Sequence, residues 1–228
     1  MDYSGNSPLI KLKNISFAYP GRDFVLRDID FEFYKGERLS LGGANGSGKT
    51  TLFSLIMGLH TPANGEIEIF GTRCETQNDF REVREKIGFL FQDADNQLFC
   101  PTVAEDIAFG PLNLGKTREE AQKITLQILE ELGLQGFEDR VTYNLSGGEK
   151  RLVSIATVLA MEPKILLLDE PTTGLDEKTT IRIIDILKSL SISYIIVSHD
   201  KQFLHEVVTS SKIIRNGKIE TVNTTRPY

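Results

Sequence analysis

The stretch from Gly43 to Thr50, GANGSGKT, constrains the fold of this chain more than any other feature. It fits the pattern G-x-x-x-x-G-K-[ST], a glycine-rich loop whose backbone N–H groups cradle phosphate at the start of a helix. The residues before it are typical of a strand, and apolar side chains recur at helical spacing after it. This context predicts a triphosphate site rather than a glycine-rich turn without a ligand. Lys49 would reach the β- and γ-phosphates, and Thr50 would offer its hydroxyl to Mg²⁺.

The predicted nucleotide site includes the rest of this loop. Its other binding residues are expected to be Gly43, Asn45, Gly46, Ser47, Gly48 and Thr51.

Polar residues follow two buried strands in the last third of the chain. Asp169 and Glu170 end ILLLDE, and His199 follows SYIIV. Neighbouring residues of a strand point to opposite sides, so one carboxylate can hold Mg²⁺ through water while the other faces an attacking water. We therefore expect Asp169 to be a metal residue, Glu170 to be the general base and His199 to contact the γ-phosphate or hold Glu170 and water. The two other histidines, His60 and His205, are interpreted as surface or packing residues.

The order of patterned segments predicts an α/β fold with a mostly parallel sheet. The first seventy residues alternate apolar and polar side chains in LIKLKNISFAY, VLRDIDFEFYKGERLSLGG and EIEIFG, as antiparallel strands with one solvated face do. The middle is helical, with a capping box at Thr117 and Glu120 and a stop at Gly133. The last third alternates buried strands with helices at about 177–190 and from near Asp200, which indicates parallel strands.

Composition limits the class of protein. A chain of 228 residues suits one domain, or one domain with an inserted lobe. Its net charge of −6 argues against a nucleic-acid binder, which usually has a basic excess. Cys74 and Cys100 form no disulfide framework and are expected to be free thiols in a reducing compartment. The N-terminus lacks the apolar segment of a signal peptide and no apolar run approaches ~18 residues, so a membrane role would need a partner chain.

The stretch LSGGEK, from Leu145 to Lys150, opens another predicted helix with two adjacent glycines. One reading is a capping box, in which Ser146 caps the helix and Glu149 reaches back to it. Each glycine costs roughly 0.5–1 kcal/mol against alanine in a helix, so the pair needs a reason. Ser146, Gly147 and Gly148 would form an anion nest without a metal ligand of its own. Two copies placed head-to-tail would let each nest close on the γ-phosphate held by the other.

Taken together, these motifs resemble the ATP-binding-cassette (ABC) ATPases. The loop at Gly43–Thr50, LSGGEK, ILLLDEP, GLD and SHD occur in that family's order and spacing over nearly the whole chain. The resemblance implies a P-loop NTPase (RecA-like) core with an N-terminal antiparallel β subdomain and an inserted α-helical subdomain. It also implies one nucleotide-binding domain over 8–228, with the helical part at about 92–160.

The same resemblance implies roles for three further residues. Tyr19 in SFAYP would stack on adenine, Gln92 in FLFQD would touch Mg²⁺ and water and sense a membrane partner, and Asp176 in GLD would lie at a dimer interface. Each has a plainer interpretation, respectively a strand aromatic, a polar loop residue and a helix cap.

A narrower resemblance lies in FLFQDADNQLFCPTVAEDIAFGPLNLG, which is similar to the ATPases of energy-coupling-factor and cobalt/nickel-type importers. These take up vitamins or metal ions through a transmembrane coupling subunit. The resemblance implies ATP and Mg²⁺ as cofactors and a second cassette, identical or related, as a partner. It also implies a coupling subunit, a substrate-binding membrane protein and a place on the cytoplasmic face of the membrane, with no nucleic acid.

The sequence departs from the family pattern in places. Position 149 is Glu where many cassettes have Gln, and Thr50-Thr51 stands where Ser-Thr is common. The chain also ends soon after the last predicted strand, where many relatives carry a longer C-terminal segment.

Two alternatives to the importer stay open. The first is another class of ABC transporter, or an ABC ATPase of DNA repair or translation, which usually carries two cassettes or long insertions. The second is a binding module in which ATP only holds a complex together, and the intact set of Asp169, Glu170 and His199 opposes it.

Overall fold

The computed structural model describes residues 7–222, which form two β-sheets with helices packed around them. The strands in chain order are β1 (Ile10–Ala18), β2 (Phe24–Phe33), β3 (Arg38–Gly43), β4 (Asn64–Ile69), β5 (Thr72–Arg73), β6 (Ile87–Leu90), β7 (Ile165–Asp169), β8 (Ser193–Val197), β9 (Ser210–Arg215) and β10 (Lys218–Thr221). The helices are α1 (Lys49–Ile56), α2 (Gln77–Lys86), α3 (Val103–Asn113), α4 (Arg118–Glu131), α5 (Gly147–Leu159), α6 (Glu177–Ser189) and α7 (Lys201–Val207). None of these helices is both long and apolar enough to span a membrane.

The smaller sheet is antiparallel, as the alternating pattern predicts. Its strand order is β2-β1-β4-β5, and Ile10 pairs with Phe33 on one side and with Ile69 on the other. The alternation in β1 breaks at Asn14, which has a positive φ of 52° and lies where the register shifts. The buried side chains of this sheet pack against α1 and against β3, the strand that precedes the phosphate loop.

The larger sheet has the order β10-β9-β3-β8-β7-β6. All neighbouring pairs from β9 to β6 are parallel, and only β10 runs antiparallel to its neighbour. The fold class expected from the sequence is therefore confirmed. Because β3, β8 and β7 lie side by side, the phosphate loop, His199 and Asp169 emerge at the same edge of the sheet.

Two hydrophobic cores lie on opposite faces of this sheet. Alternate residues of β7 divide between them: Ile165 and Leu167 face the core around α1, whereas Leu166 and Leu168 face the core formed with α3 to α7. The period of two puts Asp169 on the face of Ile165 and Leu167, which is the face of α1.

Helix starts are specified locally. Within residues 7–222, capping boxes open α2, α3, α4 and α5, and the boxes predicted at Thr117 and Ser146 are confirmed. Single aspartates, Asp176 and Asp200, cap α6 and α7. Such a cap is typically worth about 1 kcal/mol per helix.

The hairpin of β9 and β10 was not among the predicted strands. Its turn is Asn216-Gly217, with φ of 51° and 73°. An Asn-Gly pair favours the two positive φ values of a tight hairpin turn, so this hairpin could have been predicted from the sequence. The hairpin adds β9 beside β3, and thus supports the strand that ends in the phosphate loop.

Candidate active site at the carboxyl edge of the parallel sheet

The phosphate loop joins β3 to α1 through a backbone that glycine allows. Gly48 has a φ of 106°, and a Cβ there would lie 2.7 Å from a methyl group of Leu26. Position 48 therefore admits only glycine, both for its conformation and for its packing. The first N–H groups of α1 have no intrahelical acceptor and face the loop.

Lys49 is buried at this helix start. Its Nζ donates to the carbonyl oxygens of Gly43 at 2.8 Å and Ala44 at 3.0 Å. Burial lowers the pKa of Lys49, and the carboxylates of Glu170 and Asp169 oppose that shift. Within residues 7–222, the buried Ser47 hydroxyl has no hydrogen-bond partner. The loop thus holds a buried ammonium and a buried hydroxyl without a partner among the described residues, two groups that are able to donate to phosphate oxygens.

Asp169 and Thr50 meet across the edge of the sheet. The Thr50 hydroxyl donates to Asp169 Oδ2 at 2.8 Å. Burial raises the pKa of the Asp169 carboxyl, and the hydrogen bond from Thr50 opposes that change. A carboxylate beside a hydroxyl provides the hard oxygen ligands that Mg²⁺ prefers, so these residues fit that ion.

Glu170 departs from the simple alternation that the sequence predicted. β7 ends at Asp169, and Glu170 lies beyond it with a positive φ of 49°. Its N–H still donates to Val197 O at 2.8 Å, and its Oε2 accepts from the Thr173 hydroxyl at 3.0 Å. The orientation of Glu170 therefore comes from a left-handed turn, a strained conformation that often marks functional sites.

His199 contacts residues of both neighbouring segments. Its Nε2 lies 3.4 Å from Glu170 Oε1 and 3.1 Å from Asn45 Oδ1. The side chain is 59% exposed, so it faces the cleft rather than the core. His199 thus lies between the carboxylate and the phosphate loop, where the sequence interpretation put it.

Tyr19 borders the same cleft, and contacts with Thr51, Phe17 and His60 fix its position. Its hydroxyl is 3.0 Å from the Thr51 hydroxyl. Its ring meets Phe17 edge-on at 5.0 Å and His60 edge-on at 5.5 Å between centroids. His60 is therefore a packing residue, as predicted, and it packs against the aromatic expected to receive adenine. His205 is exposed, with Glu206 4.0 Å away.

These residues surround one cavity of about 730 Å³. Its lining residues are Tyr19, Arg22, Val25, Asn45, Gly46, Gly48, Lys49, Thr50, Thr51, Gln92, Asp169, Glu170, Thr173, Val197 and His199. Arg22, Val25, Thr173 and Val197 were not predicted as site residues. Arg22, Thr173 and Val197 lie within three residues of Tyr19, Glu170 and His199, whereas Val25 reaches the cleft through the packing of β2.

Two other predicted residues, Gly43 and Ser47, belong to the phosphate loop but do not line this cavity, and the rest form a second cluster away from it. Ser146 caps α5, and Asp176 caps α6 by accepting from Thr179 N at 2.8 Å. A Cβ at Gly148 would lie 3.0 Å from Thr179 Oγ1, so the two helix starts are adjacent. A Cβ at Gly147 would meet none of the described residues within 4 Å. Packing within the chain therefore accounts in part for the need for glycine at position 148. It gives no reason for glycine at position 147.

Helix α5 is also fastened to the segment that carries Gln92. The Arg151 guanidinium donates to the carbonyl oxygens of Phe91 and Gln92, and Lys150 Nζ lies 2.5 Å from Asp95 Oδ1. Arg151 is buried, with only 4% of its surface exposed. These contacts cannot be predicted from local sequence pattern, because the partners lie far apart along the chain.

Comparison with known proteins gives the family. The model of the ABC transporter family (ABC_tran) matches residues 26–173, more than half of the chain. The chain belongs to the ABC transporter family. A Brucella suis protein, assigned provisionally by its name to the ABC transporter ATP-binding proteins, is 51% identical over 212 residues, covering 93% of this chain and 88% of that protein. The ABC protein EcfA of Methanothermobacter thermautotrophicus, an energy-coupling factor transporter ATP-binding protein, is 42% identical over 215 residues, covering 92% and 69%.

Solved ABC cassettes share the fold. CbiO1 from Clostridium perfringens, part of the ABC transporter complex cbiONQ, superimposes with a TM-score of 0.83 at 32% identity, covering 94% of this chain and 88% of CbiO1. The ATP-binding cassette MJ0796, a dimer in a post-hydrolysis state bound to ADP and Pi, gives a TM-score of 0.82 at 29% identity, covering 94% and 99%. The chain is thus an ABC transporter ATP-binding subunit, and ATP hydrolysis is the activity of its cassette.

Proposed function

We propose that this subunit energises an importer of the energy-coupling-factor type for vitamins or transition-metal ions. The similarity to EcfA and to CbiO1 supports this class. The transported substrate would be recognised by another chain, a small substrate-binding membrane protein. The subunit itself would lie on the cytoplasmic face of the membrane, bound to a transmembrane coupling subunit.

The mechanistic part of the proposal rests on the separation of the two residue clusters in one chain. One cluster holds the phosphate loop, the carboxylates and His199 around the cavity, and the other holds the glycine nest, where no atom of residues 7–222 lies within 4 Å of a Cβ placed on Gly147. A half-site of this kind needs a second cassette, and two copies of this chain supply both halves. ATP then lies between two cassettes arranged head-to-tail, and Ser146, Gly147, Gly148 and Asp176 of each reach the nucleotide of the other.

In this arrangement the chain's own residues divide the work of hydrolysis. Tyr19 stacks on adenine, and Lys49 leaves the Gly43 and Ala44 carbonyls to bind phosphate oxygens. Glu170 accepts a proton from the attacking water, and His199 holds Glu170 and the γ-phosphate in place. Thr50, Gln92 and Asp169 would hold Mg²⁺, which neutralises charge on the β- and γ-phosphates.

An apolar groove supports the expected membrane partner. A groove of about 330 Å³ lies between the larger sheet and the helical segment predicted at 92–160, lined by Phe89, Phe91, Phe99, Phe109 and Gly110 among others. Phe99 is 66% exposed and Phe109 is 45% exposed. An exposed aromatic cluster of this kind typically marks an interaction site. The Gln92 loop borders the groove, so docking there would reach the metal residue.

Reconstitution tests the proposal. The chain should be co-expressed with a candidate multi-span coupling protein and a candidate small substrate-binding membrane protein from the same organism, and purified from the membrane fraction. Proteoliposomes should then take up a vitamin or a transition-metal ion with ATP, and the same complex with Glu170→Gln should not. If the chain hydrolyses ATP but is recovered without any membrane protein bound to it, the result would favour an ABC ATPase that does not act in transport. A chain that binds ATP without phosphate release would favour the binding module.

A further inference from the structure

The glycine nest contains a negative charge of its own. Glu149 is the third residue of α5, and its Oε2 accepts from the Ser146 N–H at 2.9 Å and from the Ser146 hydroxyl at 2.8 Å. The residue therefore puts a carboxylate beside the N–H groups that are proposed to bind a γ-phosphate. Two anions at one helix start repel each other, so an acidic residue here should weaken the nest.

A single arginine binds the other oxygen of that carboxylate. Arg140 Nη1 donates to Glu149 Oε1 at 2.9 Å. The cationic neighbour in sequence, Lys150, is engaged instead by Asp95 at 2.5 Å. Arg140 thus supplies the positive charge that offsets Glu149.

The fold positions Arg140 independently of Glu149. Its guanidinium carbon lies 3.6 Å from the centroid of the Phe137 ring, and its backbone carbonyl accepts from Val103 N at 3.0 Å. Stacking and main-chain bonding fix both ends of the side chain, so the guanidinium loses little freedom when it meets the carboxylate. The Arg140 side chain is 48% exposed, and the stacking on Phe137 holds its guanidinium beside Glu149.

We propose that Arg140 is a positioning residue of the nest, which neutralises Glu149 and keeps its carboxylate turned away from the incoming γ-phosphate of the partner cassette. This inference rests on the proposed head-to-tail dimer. Many cassettes have Gln at position 149. With its charge neutralised by Arg140, the Glu of this chain becomes compatible with phosphate binding there. The essential role of Arg140 is to act on Glu149, and it does not touch the nucleotide.

A double-mutant cycle tests this role. Arg140→Gln, Glu149→Gln and the double variant should be made in a Glu170→Gln background, where slowed hydrolysis preserves the ATP-bound dimer. Sedimentation velocity would measure the ATP concentration needed for half-maximal dimerisation. Arg140→Gln should raise that concentration about fivefold or more, and Glu149→Gln in the same chain should restore it to within about twofold of Glu149→Gln alone. Arg81→Gln, which removes the same charge from an exposed pair with Glu85, is the matched control and should change nothing.

Ionic strength gives a readout that a purely structural role would not move. The defect of Arg140→Gln should shrink when NaCl is raised from about 0.05 to about 0.5 M, because the Debye length then falls from roughly 14 Å to roughly 4 Å and salt screens the repulsion between the Glu149 carboxylate and the γ-phosphate. A double variant as weak as Arg140→Gln would overturn the proposal, because Arg140 would then act on the phosphate itself or on the fold. An Arg140→Gln chain that dimerises normally would also overturn it. If the Glu170→Gln chain does not dimerise with ATP at all, the proposed dimer fails together with this inference.

Discussion

Replacement of Gly147 by alanine should separate the stability of the fold from the function of the nest. A Cβ at this position meets none of the described residues within 4 Å, and Gly147 is absent from the glycines with positive φ. Alanine can therefore adopt the native conformation without strain. A substitution of this kind stabilises a protein by about 0.4–1 kcal/mol through the lower entropy of the unfolded chain. For a chain of this size, the midpoint of thermal unfolding should rise by about 1–4 °C.

The same methyl group should impair the ATPase. If the partner's γ-phosphate approaches the backbone at Gly147, a Cβ holds it away from the N–H groups of the nest. We expect ATP-dependent dimerisation to weaken and phosphate release to fall by at least ~10-fold, since loss of donors around a developing charge typically costs that much or more. A variant that is more stable and less active is an unusual combination, because most harmful substitutions destabilise.

Two assays on the purified chain check this prediction, namely calorimetric unfolding without nucleotide and phosphate release with Mg·ATP. Gly148→Ala is the contrasting variant, because its Cβ would lie 3.0 Å from Thr179 Oγ1 and the stabilisation should be reduced or lost. Normal phosphate release by Gly147→Ala would show that no phosphate approaches this glycine. A lower unfolding midpoint would refute the packing argument itself.

Three further predictions concern other parts of the site and fold. Glu170→Gln should bind ATP and dimerise but release phosphate at least ~10²-fold more slowly, and unchanged turnover would remove Glu170 from the mechanism. Tyr19→Ala should raise the ATP dissociation constant by roughly 5- to 150-fold, as loss of base stacking does, and an unchanged constant in titration calorimetry would reject the stacking role. Burial raises the pKa of the Asp106 carboxyl although the N–H groups of Cys100 and Phe99 oppose the shift, so the native state keeps this proton to higher pH than the unfolded chain and loses stability as pH rises. In urea unfolding, the stability of Asp106→Asn relative to the wild type should therefore increase as the pH rises above the ordinary aspartate pKa of about 4, and a pH-independent difference would contradict this reasoning.

The sequence was sufficient for the parts of the site that depend on local pattern. The phosphate loop follows from a short motif in its strand-and-helix context, and strand alternation puts Asp169 on the face of α1. The Ser146 capping box likewise depends only on residues within one helical turn. Local rules of this kind need no knowledge of which distant segments meet.

The rest depends on how distant segments pack, or on torsions that no pattern specifies. The contact of His199 with Asn45 joins the ends of two strands more than a hundred residues apart, which only the strand order of the sheet determines. The positive φ of Glu170 has no sequence signal, because glutamate rarely adopts that conformation. The pairing of Arg140 with Glu149 was equally invisible, since a loop between helices sets it.

Helix α5 connects the two half-sites of one chain, because residues of this helix contact both. Its first turn forms the nest at Ser146, and Arg151, three residues after Gly148, holds the carbonyls of Phe91 and Gln92. A helix cannot lengthen without breaking its own hydrogen bonds, so a displacement of the nest that moves α5 as a body also moves the backbone of Gln92. Releasing Arg151 instead would leave a buried guanidinium without acceptors, which is costly. Because Gln92 lines the cavity of its own chain, the proposed head-to-tail dimer would link closure of the nest on the partner's phosphate to the position of Gln92 at the first nucleotide, through one helix and one buried cation.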